Sequence, residues 1–379
     1  MSTIRVNNLQ NTSTTDGGIS INNSGHVTVD GVAMPSAGPL SNRNLIINGA
    51  MQVAQRSTSS VTVSNGSNEG YSTVDRWFLN FNDSIGGAVN FAQSSDSPAG
   101  FANSVSITCS TADTSHASNQ YLALQQKIEA QNLQLLSYSS SDAVSMTLSW
   151  YMKTTTYTGP ISVNLFTDDG TVEYFTVSVT PTTSWARYTL TIPGSTTATI
   201  NNDNGLGLYL QFVLAGNTAS SIASSSDSTA WSTTRSDFRD NVGNILSSTS
   251  NAFFLTGVQL EVGSVATPFE HRSYGDELRK CERYYQVIKG GAGVFTSNAA
   301  FISLNFSPMR ATATFTADGV LKFSDTIAAD YTQSAAHLVV GSATDRSCIT
   351  DAQNLSTTSG RVATFISNNG NYINASAEL

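Results

Sequence analysis

Along most of this chain apolar and polar residues alternate in short runs separated by turn-forming residues, the period-two pattern of half-buried β-strands. The clearest runs are VSMTLSWY (144–151), ISVNLF (161–166), VEYFTVSV (172–179), WARYTLTI (185–192), LGLYLQFV (206–213) and AFFLTGVQLEV (252–262). DDGT at 168–171, between the second and third runs, is a hairpin signal. From residue 44 to about 270 the spacing predicts two antiparallel sheets packed face to face, for which a jelly roll is the best single description. The stretch NQYLALQQKIE (119–129) fits either alternation or a helical face, with strand favoured.

Both ends of the chain depart from this pattern. Residues 1–44 hold two short alternating runs, IRV (4–6) and ISINNSGHVTV (19–29), and finish in the loop PSAGP (35–39). That is too little apolar material for a core, so we assign residues 1–44 to attachment or to the threading of a trimer. Residues 273–286 carry the clearest helix signal. Ser273 is the N-cap, Asp276 and Glu277 lie in the first turn and Arg279, Lys280 and Arg283 come later, which suggests a linker helix. Strand patterns return in 287–379, with FISLNF (301–306), ATATF (311–315), a hairpin at Asp318 and Gly319, and YINASA (372–377). The expected fold is therefore all-β. An extended N-terminal segment (1–44) leads into a central jelly-roll sandwich (45–272), followed by a short linker helix (273–286) and a smaller C-terminal β domain (287–379).

Composition narrows the function. Charged residues are 12% of the 379, and only 18 are Lys or Arg, for a net charge of −9. With no basic run, a groove that tracks phosphates has little to be built from, which argues against nucleic acid as a partner. No window approaches the length and apolarity of a membrane span, and no charged-then-apolar leader opens the chain, so we expect cytoplasmic synthesis and no membrane insertion. Cys109, Cys281 and Cys348 are widely spaced, without a paired-ligand motif, and are expected to be reduced and structural. His26, His116, His271 and His337 are scattered and signal neither a metal site nor a general base, so no cofactor, metal or catalytic residue is assigned.

Three phrases are more specific than composition: NLIINGAMQVAQR (44–56), VDRW (74–77) and GVQLEVGSVATPFEHRSYGDELRKCERYYQ (257–286). Together they resemble phage tail-fibre-like proteins, notably those of phages infecting cyanobacteria and other marine bacteria. The resemblance spans residues 44–286 and extends more loosely to IRVNNLQN (4–11) and AEL (377–379). It implies a virion structural protein, usually trimeric, made in the bacterial host. Its central domain would resemble a carbohydrate-binding jelly roll, its distal domain would cap the fibre, and residues 1–44 would meet other tail proteins. It supplies no catalytic residue. The chain departs from long fibres in lacking heptads, collagen-type glycine repeats or a β-helix period for a shaft.

Glycan recognition needs flat aromatic faces for sugar C–H groups and amide or carboxylate side chains for hydroxyl pairs. Trp231, alone in the polar excursion 217–236, is a candidate platform, although anchoring the loop is an equal use for it. Trp185, Tyr174, Tyr209, Gln211 and Glu173 are further candidates. Trp77 and Trp150 lie inside apolar strand patterns and are assigned to the core. Asp75 with Arg76 suits tying down a loop better than catalysis, Asp168 with Asp169 suits turn chemistry better than calcium, and Gln259 and Glu261 are assigned to a junction rather than a ligand. The expected function is non-catalytic attachment of the virion to host-surface polysaccharide. The alternatives are a purely structural decoration or connector, and a depolymerase with a facing carboxylate pair.

Overall fold

The computed structural model describes residues 8–9, 18–117, 119–217, 223–224, 227–234, 239–240, 242–296, 299–318, 321–324, 330–333, 338–343, 347–353, 361–366 and 372–379. The chain divides into two compact units, Met1–Arg272 and Ser273–Leu379. The fold is all-β, built from antiparallel sandwich-like sheets.

The first unit opens with a small antiparallel sheet, β1 (Asn8–Leu9), β2 (Ile19–Ile21), β3 (Val27–Val29) and β4 (Val32–Ala33). The run at 4–6 lies outside the described residues. Register pairs Ile19 with Val29, Ile21 with Val27 and Val29 with Val32, so one face is apolar. Ile19, Ile21, Val29 and Val32 are exposed on it.

The sandwich follows. Its strands are β5 (Val61–Ser64), β6 (Phe78–Asn82), β7 (Ala88–Ser94), β8 (Ser104–Thr111), β9 (Tyr121–Glu129), β10 (Met146–Thr154), β11 (Ile161–Thr167), β12 (Tyr174–Val179), β13 (Ala186–Ile192), β14 (Leu206–Gly216) and, after the two-residue pair β15 (Ala223–Ser224) and β16 (Arg239–Asp240), β17 (Ala252–Val262). One sheet has the order β13-β10-β17-β8-β7-β5 and the other β12-β11-β14-β9-β6. DDGT does join a hairpin, with β11 and β12 antiparallel across it, and 121–129 is strand, as favoured. The inward-facing positions meet between the sheets. Leu124, Val163, Leu210 and Phe212 come from one side, and Leu148, Trp150, Phe253 and Leu260 from the other. Trp77 and Trp150 are buried there and both rings contact Phe212. Each such side chain contributes roughly 1.5–3 kcal/mol of hydrophobic stabilisation.

The parts of the three specific phrases that belong to this unit, 44–56, 74–77 and 257–272, meet beside β17. Segment 44–55 runs past β17 outside both sheets, so side chains must satisfy its backbone. Gln126 accepts from Ile47 N and donates to Ile47 O. Asn48 bonds Val53 N and O and also Asp75 O, and Asp75 holds the backbone and side-chain amides of Gln55. The Asp75 carboxylate therefore ties down a loop. Gly49 passes so close to Val258 that a Cβ would press into the Val258 carbonyl oxygen. Glu261 holds Thr267 through N and Oγ1, and Gln259 accepts from Glu270 N. These two residues thus pin the returning segment of their own unit. Arg43 bonds Thr267 Oγ1, and the carboxylate of Glu270 accepts from the N–H groups of Arg43 and Asn44. Arg272 reaches back to the carbonyls of Ile46 and Asn44. Burial pushes the Glu270 carboxyl up, but these hydrogen bonds and the charges of Arg272 and Arg43 outweigh it and hold the group below its ordinary range.

The second unit starts with helix α1 (Tyr274–Glu282), capped by Ser273 Oγ accepting from Asp276 N. It continues through β18 (Tyr285–Ile288), β19 (Gly290–Phe295), β20 (Ala299–Asn305), β21 (Thr314–Ala317), β22 (Leu321–Ser324), β23 (Asp330–Gln333), β24 (Leu338–Ala343), β25 (Ser347–Gln353), β26 (Val362–Ile366) and β27 (Ile373–Ser376). The sheets are β18-β27-β21 and β23-β22-β26-β19-β20-β25-β24. Gly319 of the hairpin expected at Asp318 and Gly319 lies outside the described residues. β21 pairs with β27 and β22 pairs with β23 and β26, so the strands on either side of the turn signal lie in different sheets. Cys109 and Cys281 are buried and in no disulfide, and burial pushes the Cys109 thiol up. Among the described residues no group of His, Cys, Asp and Glu could hold a metal ion, and no helix is long and apolar enough to cross a membrane.

Candidate functional site

The outward face of the five-stranded sheet brings together three of the six candidate residues. Because strands alternate, Tyr174, Thr176 and Ser178 of β12, Ser162, Asn164 and Phe166 of β11, Tyr209, Gln211 and Val213 of β14, and Ala123, Gln125 and Lys127 of β9 share it. Register sorts them into rows. One row is aromatic and runs Tyr174, Phe166, Tyr209, ending at Lys127. The next is polar and runs Thr176, Asn164, Gln211, Gln125, ending at Phe78 of β6.

The aromatic row is half-buried and stiffly held. Phe166 and Tyr209 stack with centroids 4.1 Å apart and planes at 16°, and Tyr174 lies 5.9 Å from Phe166. The Lys127 ammonium sits 5.6 Å from the Tyr209 centroid and 5.2 Å from that of Phe78, a cation–π bridge between the rows. Burial, with the charges of Asp168 and Tyr121, pushes the Tyr209 phenol up to about 12, so it remains a hydrogen-bond donor at neutral pH. Burial also raises the Asp168 carboxyl, against the pull of Lys127.

The polar row is sealed. Gln211 Nε2 donates to Gln125 Oε1 at 2.6 Å, and Asn164 Oδ1 accepts from Ser162 at 2.7 Å and Thr176 at 2.6 Å. Among the described residues Gln211 Oε1 and Asn164 Nδ2 have no hydrogen-bond partner. An acceptor and a donor in adjacent strands of the same row thus carry unused capacity. Val242 roofs the neighbouring positions Tyr121, Ala123 and Val213, and Asp227–Ser232 runs along the free edge of β12. There Ser228 N bonds Thr176 O, and Tyr174 and Ser232 exchange backbone bonds. The described part of the polar excursion is therefore laid against this sheet.

The other three candidates lie elsewhere. Trp231 folds against the core. Its indole N–H donates to Pro193 O at 2.7 Å, and its ring meets Tyr138 at 5.9 Å and Phe175 at 5.8 Å, which is the geometry of a loop anchor. Glu173 is buried on the interior side, where Ser195 Oγ donates to its carboxylate. Trp185 is on the six-stranded sheet, half-buried beside Asp96 and Lys153. Asp169 accepts from Asn201 N at 2.6 Å and from the Asn201 side chain, a turn-holding use. Sequence reasoning missed Phe166, Asn164, Gln125 and Lys127. Each alternates in phase with a recognised neighbour, and only the cross-strand register brings them together.

The class these sheets define is an all-β jelly-roll sandwich. No family model matches the chain, and no curated protein matches it. Among solved structures it is similar to the C-terminal family 22 carbohydrate-binding module of Clostridium thermocellum Xyn10B, at 11% identity and TM-score 0.32, covering 60% of this chain and 99% of that one. It is also similar to the family 11 carbohydrate-binding module of the C. thermocellum cellulase Lic26A-Cel5E, at 12% identity and TM-score 0.29, covering 55% and 98%. A third is the enzymatically active domain of bacteriophage CBA120 tailspike protein 4, at 13% identity and TM-score 0.29, of which this chain covers 21% and the match 58% of this chain.

Proposed function

We propose that this chain is a subunit of a phage virion appendage that holds host-surface polysaccharide on the outward face of its five-stranded sheet without chemical turnover. The observation that carries this reading is the row Tyr174, Phe166, Tyr209, a half-exposed aromatic strip beside a row of amides. Aromatic faces take sugar C–H groups, while the Tyr209 hydroxyl takes sugar hydroxyls and the buried amide row beside the strip fixes its strands. Residues 1–44 provide attachment. The exposed apolar face of β2, β3 and β4 suits burial against further copies of the chain in a homotrimer, or against other tail proteins. Reversible adhesion then needs only several weak sites acting together.

The test is retention of the purified full-length protein on intact host cells and on extracted surface polysaccharide, with released reducing ends assayed in the same tubes. Retention without release is the expected result. Release of sugar fragments would make the protein a depolymerase, and absence of retention by the folded protein would make it a structural component.

A further inference from the structure

On the opposite side of the sandwich, three separate segments converge on the outward face of the six-stranded sheet. Trp185, immediately ahead of β13, donates its indole N–H to Asp96 Oδ1 at 3.0 Å. Asp96 Oδ2 takes the Lys153 ammonium of β10 at 2.6 Å. The loop that carries Asp96 is itself pinned, since Asp96 N donates to Ser94 Oγ and Ser104 Oγ donates to Asp96 O. Lys153 Nζ lies 5.5 Å from the Trp185 centroid and 5.0 Å from that of Phe254, and Phe254 meets Trp185 edge-on at 6.4 Å.

The strip continues along β10. Tyr151, two residues before Lys153 and on the same face, lies 5.3 Å from Phe101. Both rings rest on Gly257, whose φ is +60° at the β-bulge between β10 and β17. A Cβ there would come within 2.7 Å of Phe101 and 2.8 Å of Tyr151. This face therefore carries a second aromatic strip on a floor that only glycine permits.

An exposed ion pair adds little stability. What this one does is fix an aromatic ring, because the indole cannot turn while its N–H is held by a carboxylate that is itself held by Lys153. The carboxylate side chain is 46% exposed, leaving lone pairs for hydroxyl donors, while the ammonium has further N–H groups for hydroxyl acceptors. A fixed ring with a carboxylate at its edge and an ammonium over one face sets an acceptor and a donor side by side, as a pyranose with two neighbouring hydroxyls requires.

We infer that Trp185, Asp96 and Lys153 form a second saccharide subsite, for a pyranose bearing vicinal hydroxyls, on the face opposite the Tyr209 row. The inference rests on the saccharide-binding reading above. The two faces point away from each other, so a single glycan strand does not occupy both, and one protein chain bridges two strands.

The experiment is titration calorimetry of the full-length protein with short oligosaccharides made by partial acid hydrolysis of the host-surface polysaccharide it retains. Two sites per chain are expected for the wild type, one for Trp185→Ala, and one for Tyr209→Ala. Asp96→Asn keeps the ring and weakens the second site about tenfold with the first unchanged, which carries the test if Trp185→Ala fails to melt cooperatively. A single site per chain in the wild type, abolished by Tyr209→Ala and untouched by Trp185→Ala and Asp96→Asn, overturns the second subsite and leaves the first standing. Failure of the wild type to retain the polysaccharide removes both.

Discussion

Removing the Tyr209 ring tests the aromatic row most directly. In Tyr209→Ala the chain loses the stack on Phe166, worth roughly 0.5–1.5 kcal/mol, and the Lys127 contact, worth roughly 0.5–1 kcal/mol. Losing the half-buried ring surface costs about 1 kcal/mol more. The total of about 2–3.5 kcal/mol lowers Tm by roughly 4–14 °C for a domain of this size, so the sandwich still folds. If the ring is the central platform, polysaccharide affinity falls by about 30-fold or more, the loss expected on truncating an anchor residue. Tyr209→Phe keeps the stack, with Tm within about 2 °C of wild type, and isolates the hydroxyl. Since the phenol is raised to about 12, its stabilising proton is fully in place below its ordinary value of 10.0 and is lost only as pH rises through about 12. Its ionisation thus gives neither binding nor melting any pH dependence near neutrality. The assays are thermal melting and retention on extracted polysaccharide. A cooperatively melting Tyr209→Ala that is retained as strongly as the wild type would refute the site.

Gln211→Met, of matched shape, exchanges the unpartnered Gln211 carbonyl for an unpartnered Gln125 carbonyl, so the two penalties of about 1–3 kcal/mol cancel and Tm should move by no more than a few degrees. A drop beyond about 10 °C would mean that the amide row holds the sheet together. Gly49→Ala meets a carbonyl oxygen of the backbone, which cannot turn aside, and is expected to give insoluble protein or to lose the cooperative melt. The Glu270 carboxyl is held below its ordinary value in the fold, so its contribution is present above that value and disappears as pH falls through the lowered one. Melting from neutral pH to about pH 3 should therefore destabilise the wild type more steeply than Glu270→Gln. Parallel curves would show that the carboxylate contributes nothing there.

The strands most legible in the sequence are those with one dry and one wet face. β13 alternates plainly because its outward residues Arg187, Thr189 and Thr191 are exposed. β9 is ambiguous because Val242 packs on its outer side, with Tyr121 and Ala123 buried along with Leu122 and Leu124, which erases the period. Tyr174, Tyr209 and Gln211 could be picked as polar-side residues, but their companions could not. Gln125 and Gln211 are 86 positions apart, and nothing local announces that they touch. Glu173 sits one residue from Tyr174 and so faces the opposite way. Trp231 misleads for a different reason, since a polar loop hides that its one large residue is its fastening. The specific phrases at 44–56 and 257–272 could be recognised without being understood. Their amides and carboxylates satisfy a backbone that runs outside the sheets, a need visible only once the path of the chain is known.

The network joining Arg43, Asn44, Glu261, Glu270 and Arg272 has a mechanical consequence. The chain enters and leaves the sandwich at adjacent points, because Arg272 grips the carbonyls of Asn44 and Ile46 while Glu270 grips the amides of Arg43 and Asn44. Tension applied between the N-terminal segment and the second unit is carried across that short bridge of charged groups and the end of β17, and the ten strands β5–β14 lie off the load path. A pull on the two chain segments that flank the sandwich would strain this clasp first, and the sheets between them would keep their shape.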